Sequence, residues 1–227
     1  MTDDDNNDIQ FLDLLEATVA RKKDEVFATW YNSNAAPTEK YTFRGIWDEA
    51  GQIAYDLLHS HRLCKGDRVI LCYSFGFKFF AAFLGCLRAG VVGVLVYPPS
   101  PKNLSKALHK LTKIVENCDA KMVLVDDAVN FLRLTKNRKL WPNVTYKTHP
   151  RFANMKKNVR TDIEKLLKAD PISSSDLAFL QYTSGSTGEP KELWLHLVHF
   201  GRMFVYSLQI FPNNVRMPMC RRITLLE

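Results

Sequence analysis

Three short segments of this chain are apolar at nearly every position: VILCY at 69–73, VVGVLVYP at 91–98 and AKMVLVDD at 120–127. A strand that is apolar on both sides of its pleat has no face to turn to water and must be covered above and below. The intervening segments supply the cover. Residues 77–89 (FKFFAAFLGCLRA) and 101–118 (PKNLSKALHKLTKIVENC) carry apolar side chains at helical spacing, and AVNFLRLT at 128–135 continues the alternation. Buried strands separated by helices predict a largely parallel sheet flanked by helices, an α/β fold class. Upstream, Ile9, Leu12, Leu15, Val19 and Val26 predict an amphipathic helix over 8–27. Thr42 then caps a second helix whose inner face is Ile46, Trp47, Ala50, Ile53 and Leu57. After residue 135 the chain reads as a basic, less regular stretch.

Composition narrows the class. With 46% hydrophobic and 24% charged residues the chain is that of an ordinary globular protein. Lys78 and Arg88 interrupt its longest apolar neighbourhood, so no segment reaches the ~20 residues that cross a bilayer. The acidic start MTDDDNNDIQ lacks the basic region and apolar run of a secretory signal, and a cytoplasmic location is expected. Five cysteines, odd in number and without a C-x-x-C pair, fit reduced core thiols and not a disulfide or zinc framework. The net charge of +7 is concentrated between residues 131 and 168, where the only acids are Asp162 and Glu164. Such a stretch suits phosphate backbones, acidic lipid headgroups or an acidic partner, or is simply a solvated face. No nucleic-acid-binding motif accompanies it, and nucleic acid is not an expected partner.

A connector, KADPISSSD at 168–176, leads into a predicted strand over 176–182 and then into TSGSTGEPK. Gly185 and Gly188 let the backbone bend sharply and approach a ligand, turning N–H groups toward an anion. Thr183, Ser184, Ser186 and Thr187 add hydroxyl donors without bulk, Pro190 stiffens the approach and Lys191 adds a positive charge. The Walker spacing is absent. ELWLHLV at 192–198 alternates as a strand does, so the loop joins two strands and has no helix N-terminus to use. By composition it is either a hairpin turn or a cradle for a polyphosphate.

The tract YTSGSTGEPK resembles the phosphate-binding signature of the adenylate-forming (AMP-binding) superfamily. Together with YTFRGIWDEAGQIAYDLL, KGDRVIL and GCLRAGVVGVLVYPP, in that order along the chain, it is most similar to fatty-acyl-AMP ligases and their acyl-CoA synthetase relatives. The resemblance runs from about Thr42 through Lys191 and implies ATP-dependent activation of a fatty acid to an acyl-adenylate. It implies that Thr183, Ser184, Gly185, Ser186, Thr187 and Gly188 hold the outer phosphates, that Thr183 touches Mg²⁺, and that Lys191 adds charge near the nucleotide. An acyl carrier protein or coenzyme A would accept the acyl group. No catalytic residue is assigned within the chain. It divides residues 1–40, an N-terminal helical region, from 41–227, a partial AMP-binding domain with the loop at 183–191 and a divergent tail at 192–227.

Two departures stand out. Glu192 occupies the place of the family's glycine, and His196 and His199 are out of register with its histidine. In the family the adenine and ribose contacts, a magnesium-binding glutamate, the acyl tunnel and a C-terminal subdomain all lie downstream of the loop. These 227 residues are therefore expected to be a truncated N-terminal portion, inactive alone. The alternative is a non-catalytic nucleotide-binding or interaction protein that retains the loop.

Overall fold

A computed structural model of the chain describes residues 11–31, 34–74, 76–149, 157–184 and 190–197. At its centre lie β3 (Arg68–Cys72), β4 (Val92–Val96), β5 (Met122–Val125), β6 (Thr145–Thr148), β7 (Leu177–Ser184) and β8 (Pro190–His196). They form one sheet in the order β6-β5-β3-β4-β7-β8, parallel throughout except for the antiparallel β7–β8 pair. The predicted fold class is thus found, and the reason is visible residue by residue. Val69 and Leu71 of β3 point into one core, while Ile70 and Cys72 point into the other. The first core is closed by α1 (Phe11–Lys22), α2 (Phe43–Tyr55) and α3 (Phe77–Ala89), and the second by α4 (Leu104–Asn117) and α5 (Asp127–Thr135).

Local chemistry sets the helix ends. Gly45 N–H donates to Thr42 Oγ1 at 3.0 Å, the predicted N-cap. Helix α3 stops where Gly90 takes a left-handed φ of 65° and its N–H reaches back to the carbonyls of Cys86 and Leu87. Helices α2 and α3 pack with their backbones close. A Cβ on Gly85 would lie 2.7 Å from Ile53 Cγ2 and 3.1 Å from Ala50 O. Arg88, in the apolar face of α3, is 5% exposed and sets its guanidinium carbon 3.8 Å from the centre of the Trp47 ring. It donates to Trp47 O at 2.7 Å and to Glu164 Oε1 at 2.9 Å. Glu164 belongs to α6 (Lys157–Ala169), whose Arg160 also grips Asp48 of α2. Burial lowers the Arg88 pKa, and the Glu164 carboxylate opposes that shift.

The structure corrects the sequence reading in two places. The opening helix ends at Lys22, not near residue 27, and Val26 begins β1 (Val26–Tyr31), which pairs antiparallel with β2 (Pro37–Thr42). Aromatic and β-branched residues in VFATWY favour a strand, and the turn at 23–25 ties the hairpin to α2 through Phe43 N–H to Glu25 O and Arg44 N–H to Lys23 O. The basic stretch is not irregular either: it holds β6 and α6. Strand β6, TYKT, lies at the edge of the sheet, where a polar strand is tolerated. Ile163 is buried at 2%, which fixes the inner side of α6.

Candidate functional site

The β7–β8 hairpin carries the two ends of the glycine-rich segment 183–191. Ala178, Phe179 and Leu180 are buried and anchor β7 between β4 and β8. The antiparallel register sets Ser184 opposite Pro190 and Thr183 opposite Lys191. The loop does join two strands, and Lys191 lies alongside Thr183 at its neck. Gly185, Ser186, Thr187 and Gly188 fall outside the described residues, as does His199. Glu192 pairs with Tyr182 one step further from the loop. Tyr182 in turn donates its hydroxyl to Asn117 Oδ1 at the end of α4.

The base of the hairpin is tied down. Lys65 Nζ meets Asp176 Oδ2 at 2.6 Å, Ser173 N–H donates to the same oxygen at 2.6 Å, and Leu197 N–H donates to Asp176 O at 2.9 Å. His196 Nδ1 donates to Ser175 O at 2.8 Å. This bond ties His196 to the connector that precedes β7.

The loop leaves the sheet at the C-terminal ends of the parallel strands, the end at which α/β folds gather ligands. Three residues there escaped the sequence reading, two placed just after apolar strands and one after the polar edge strand. Asp126, after β5, accepts from Ser74 N–H at 2.7 Å and Val129 N–H at 2.8 Å, so it pins the end of β3 and caps α5 together. Tyr73, after β3, meets His149 Nδ1 at 3.2 Å, and His149, after β6, meets Glu49 Oε1 of α2 at 2.7 Å. This buried relay fastens α2 across the strand ends. Burial drives the Tyr73 phenol far above its ordinary pKa, so it stays protonated. Tyr41 is pushed up to about 12, by burial first and then by the Glu49 charge. Tyr97 is different: it is 92% exposed. Leu95 is in register with Gln181, so Tyr97 stands two residues beyond one and Thr183 two beyond the other.

Among the described residues no His, Cys, Asp or Glu group is placed to hold a metal ion. By its sequence the connection between the paired strands is short and rich in glycine and hydroxyl residues, and the backbone pairing of Thr183 with Lys191 sets its neck.

Comparison with known proteins identifies a family. The family profile described as "AMP-binding enzyme" matches residues 15–196. The medium-chain-fatty-acid–[acyl-carrier-protein] ligase JamA of Moorena producens is 31% identical over 165 residues, 70% of this chain and 26% of that protein. Human Disco-interacting protein 2 homolog A is 32% identical over 69% of this chain and 10% of its own length. Among solved structures, the fatty acyl-adenylate ligase from L. pneumophila in complex with acyl adenylate and pyrophosphate superposes with a TM-score of 0.70 at 26% identity, covering 92% of this chain and 34% of that one. The chain thus spans between about a tenth and a third of the lengths of these three relatives. By the profile match across most of its length, the chain belongs to the AMP-binding enzyme family and to its adenylate-forming ligase lineage.

Proposed function

We propose that residues 183–191 cradle the β- and γ-phosphates of ATP in a fatty-acid-activating reaction. The observation that carries this reading is the hairpin register, which holds Lys191 beside Thr183 at the C-terminal end of the parallel sheet. In the reaction a carboxylate oxygen of the fatty acid attacks the α-phosphorus and forms a P–O bond. The bond to the bridging oxygen breaks, and pyrophosphate leaves with its electron pair. A carboxylate needs little activation. The departing pyrophosphate needs its charge neutralised and its position fixed, which are tasks for the Lys191 ammonium, the loop N–H groups and the hydroxyls of Thr183, Ser184, Ser186 and Thr187. Mg²⁺ would add charge neutralisation at the same phosphates.

Support for a fatty acid comes from the names of the Moorena and Legionella ligases, and support for a carrier protein as acceptor from the first of them. Coenzyme A is the competing acceptor. A second reading, a nucleotide-binding interaction module, is favoured by the similarity to the Disco-interacting protein 2 homologues.

Exchange of labelled pyrophosphate into ATP separates the readings. A longer relative that includes this region should exchange with medium- or long-chain fatty acids first; a panel led by amino acids would overturn the substrate class. The 227 residues alone should bind Mg·ATP but show no acid-dependent exchange above a Lys191→Ala control, because the outer phosphates are one corner of the required geometry. Exchange above that control would mean that the chain itself carries the catalytic groups.

A further inference from the structure

The outer side of α5 and the turn after it form a surface that the phosphate site does not use. Val129 and Leu132 of α5 face the core. On the other side of the same helix Phe131 is 68% exposed and Leu134 52% exposed, three residues apart and so neighbours on one face. Leu140, in the 3₁₀ turn Arg138–Leu140, is 49% exposed. Single exposed leucines are common, whereas a group of large apolar side chains ringed by like charges marks an interaction site. The ring here is cationic: Lys136, Arg138 and Lys139 are all exposed. Every charged residue between Asp127 and Asp162 is a lysine or an arginine. Asp127, the one acid on α5, sits in its first turn and meets Lys78 Nζ at 3.0 Å.

The surface is also held in shape. Buried Trp141 donates its indole N–H to Lys136 O at 3.1 Å, Lys136 N–H reaches Leu132 O at 2.9 Å, and Leu140 N–H reaches Asn137 O at 2.8 Å. Asn137 takes the left-handed conformation that closes this turn, with φ of 48°. Arg133 is drawn back over the Tyr146 ring at 4.7 Å, leaving the other three cations to the rim. Apolar side chains and cations are thus presented together on a rigid edge beside β6.

We propose that this edge docks on an anionic phospholipid bilayer, with Phe131, Leu134 and Leu140 entering the headgroup–acyl boundary and Lys136, Arg138 and Lys139 lying against the lipid phosphates. Charge complementarity carries the choice of a negative partner. The apolar side chains carry the choice of a bilayer: two leucines and a phenylalanine exposed on a helix and the turn after it suit acyl chains, while nucleic acid calls for bases stacked on aromatic platforms. Among the described residues no helix is long and apolar enough to cross a membrane, so the contact is peripheral. The inference is independent of the phosphate-loop reading, since docking requires neither ATP nor an acyl substrate.

The test is co-sedimentation of the chain with phosphatidylcholine vesicles, with or without about one quarter phosphatidylglycerol. Binding should occur to the anionic vesicles, weaken with salt, and be slight on the neutral ones. The triple variant Lys136→Ser, Arg138→Ser, Lys139→Ser should lose on the order of a hundredfold in affinity, about fivefold for each cation. Phe131→Ser with Leu134→Ser should lose more than about tenfold at an unchanged melting temperature. As a readout that needs no loss of binding, Leu134→Trp should shift its emission to the blue on anionic vesicles. Equal binding to both vesicle types, unchanged affinity in either multiple variant, an unshifted tryptophan, or tighter binding to single-stranded RNA than to anionic vesicles would each overturn the proposal.

Discussion

The joint between α2, α3 and α6 and the β7–β8 hairpin are built on opposite lines. In the joint, backbones approach closely at Gly85, and a buried guanidinium is satisfied by a carbonyl, a carboxylate and an aromatic face. In the hairpin, Ala178, Phe179, Leu180 and Leu197 are buried, while Leu193 and Trp194 remain half exposed. The contrast separates a frame from a working edge. Substitutions in the joint should change stability and leave nucleotide binding per folded molecule alone, and substitutions at the loop should do the reverse.

The largest effect is expected at Arg88. Its replacement by alanine strands the Trp47 carbonyl and Glu164 and should lower the unfolding free energy by about 3 kcal/mol, read from urea denaturation. A loss below about 0.5 kcal/mol, the size of an ordinary surface change, would remove the joint from the account. Gly85→Ala should cost about 1–3 kcal/mol, because the new methyl meets Ile53 and the Ala50 carbonyl, which belong to packed α2. An unchanged urea midpoint would show that α2 and α3 part without strain. Arg160→Ala should cost less, about 0.5–1 kcal/mol, since its pair with Asp48 is partly open to water. A thermal melt that drops as far as the Arg88 variant's would mean that α6 is held by Arg160 instead.

A final contrast needs no change in stability. Burial pushes the Cys72 and Cys86 thiols up to about 12, so neither forms appreciable thiolate near pH 8, whereas Cys64 is exposed. Iodoacetamide followed by peptide mapping should label Cys64 in the native protein and spare the other two. Labelling of Cys86 at a rate like that of Cys64 would show that the α2–α3 contact opens readily.

The parts legible in the sequence were those whose signal is local. Helix α3 could be bounded because apolar residues at helical spacing run from Phe77 to Ala89, and α2 because a threonine precedes its first turn. The apolar runs of β3, β4 and β5 required cover on both faces, and the two cores supply it. The β7–β8 hairpin was readable from alternation after Lys191. What stayed hidden depends on distance along the chain. Tyr73, His149 and Glu49 meet across separations of 76 and 100 residues, which no local pattern records. Arg88 reads as an interruption of an apolar segment until Glu164 and Trp47 are placed around it. In α6 the spacing of Ile163, Leu166 and Leu167 is helical, but dense charge masked it, and β6 and β2 are too polar to announce themselves as strands.

If residues 183–191 form a polyphosphate site, calorimetric titration with Mg·ATP and with pyrophosphate will register both ligands. Lys191→Ala removes a charge-assisted contact and should weaken both ligands by roughly tenfold to a hundredfold. Gly188→Val places a branched side chain where the backbone must approach the phosphates, and it should weaken both as well. Circular dichroism and the urea midpoint of both variants should match the parent chain. Wild-type affinity in both variants, in folded protein, would contradict the account and leave residues 183–191 as a turn between two strands.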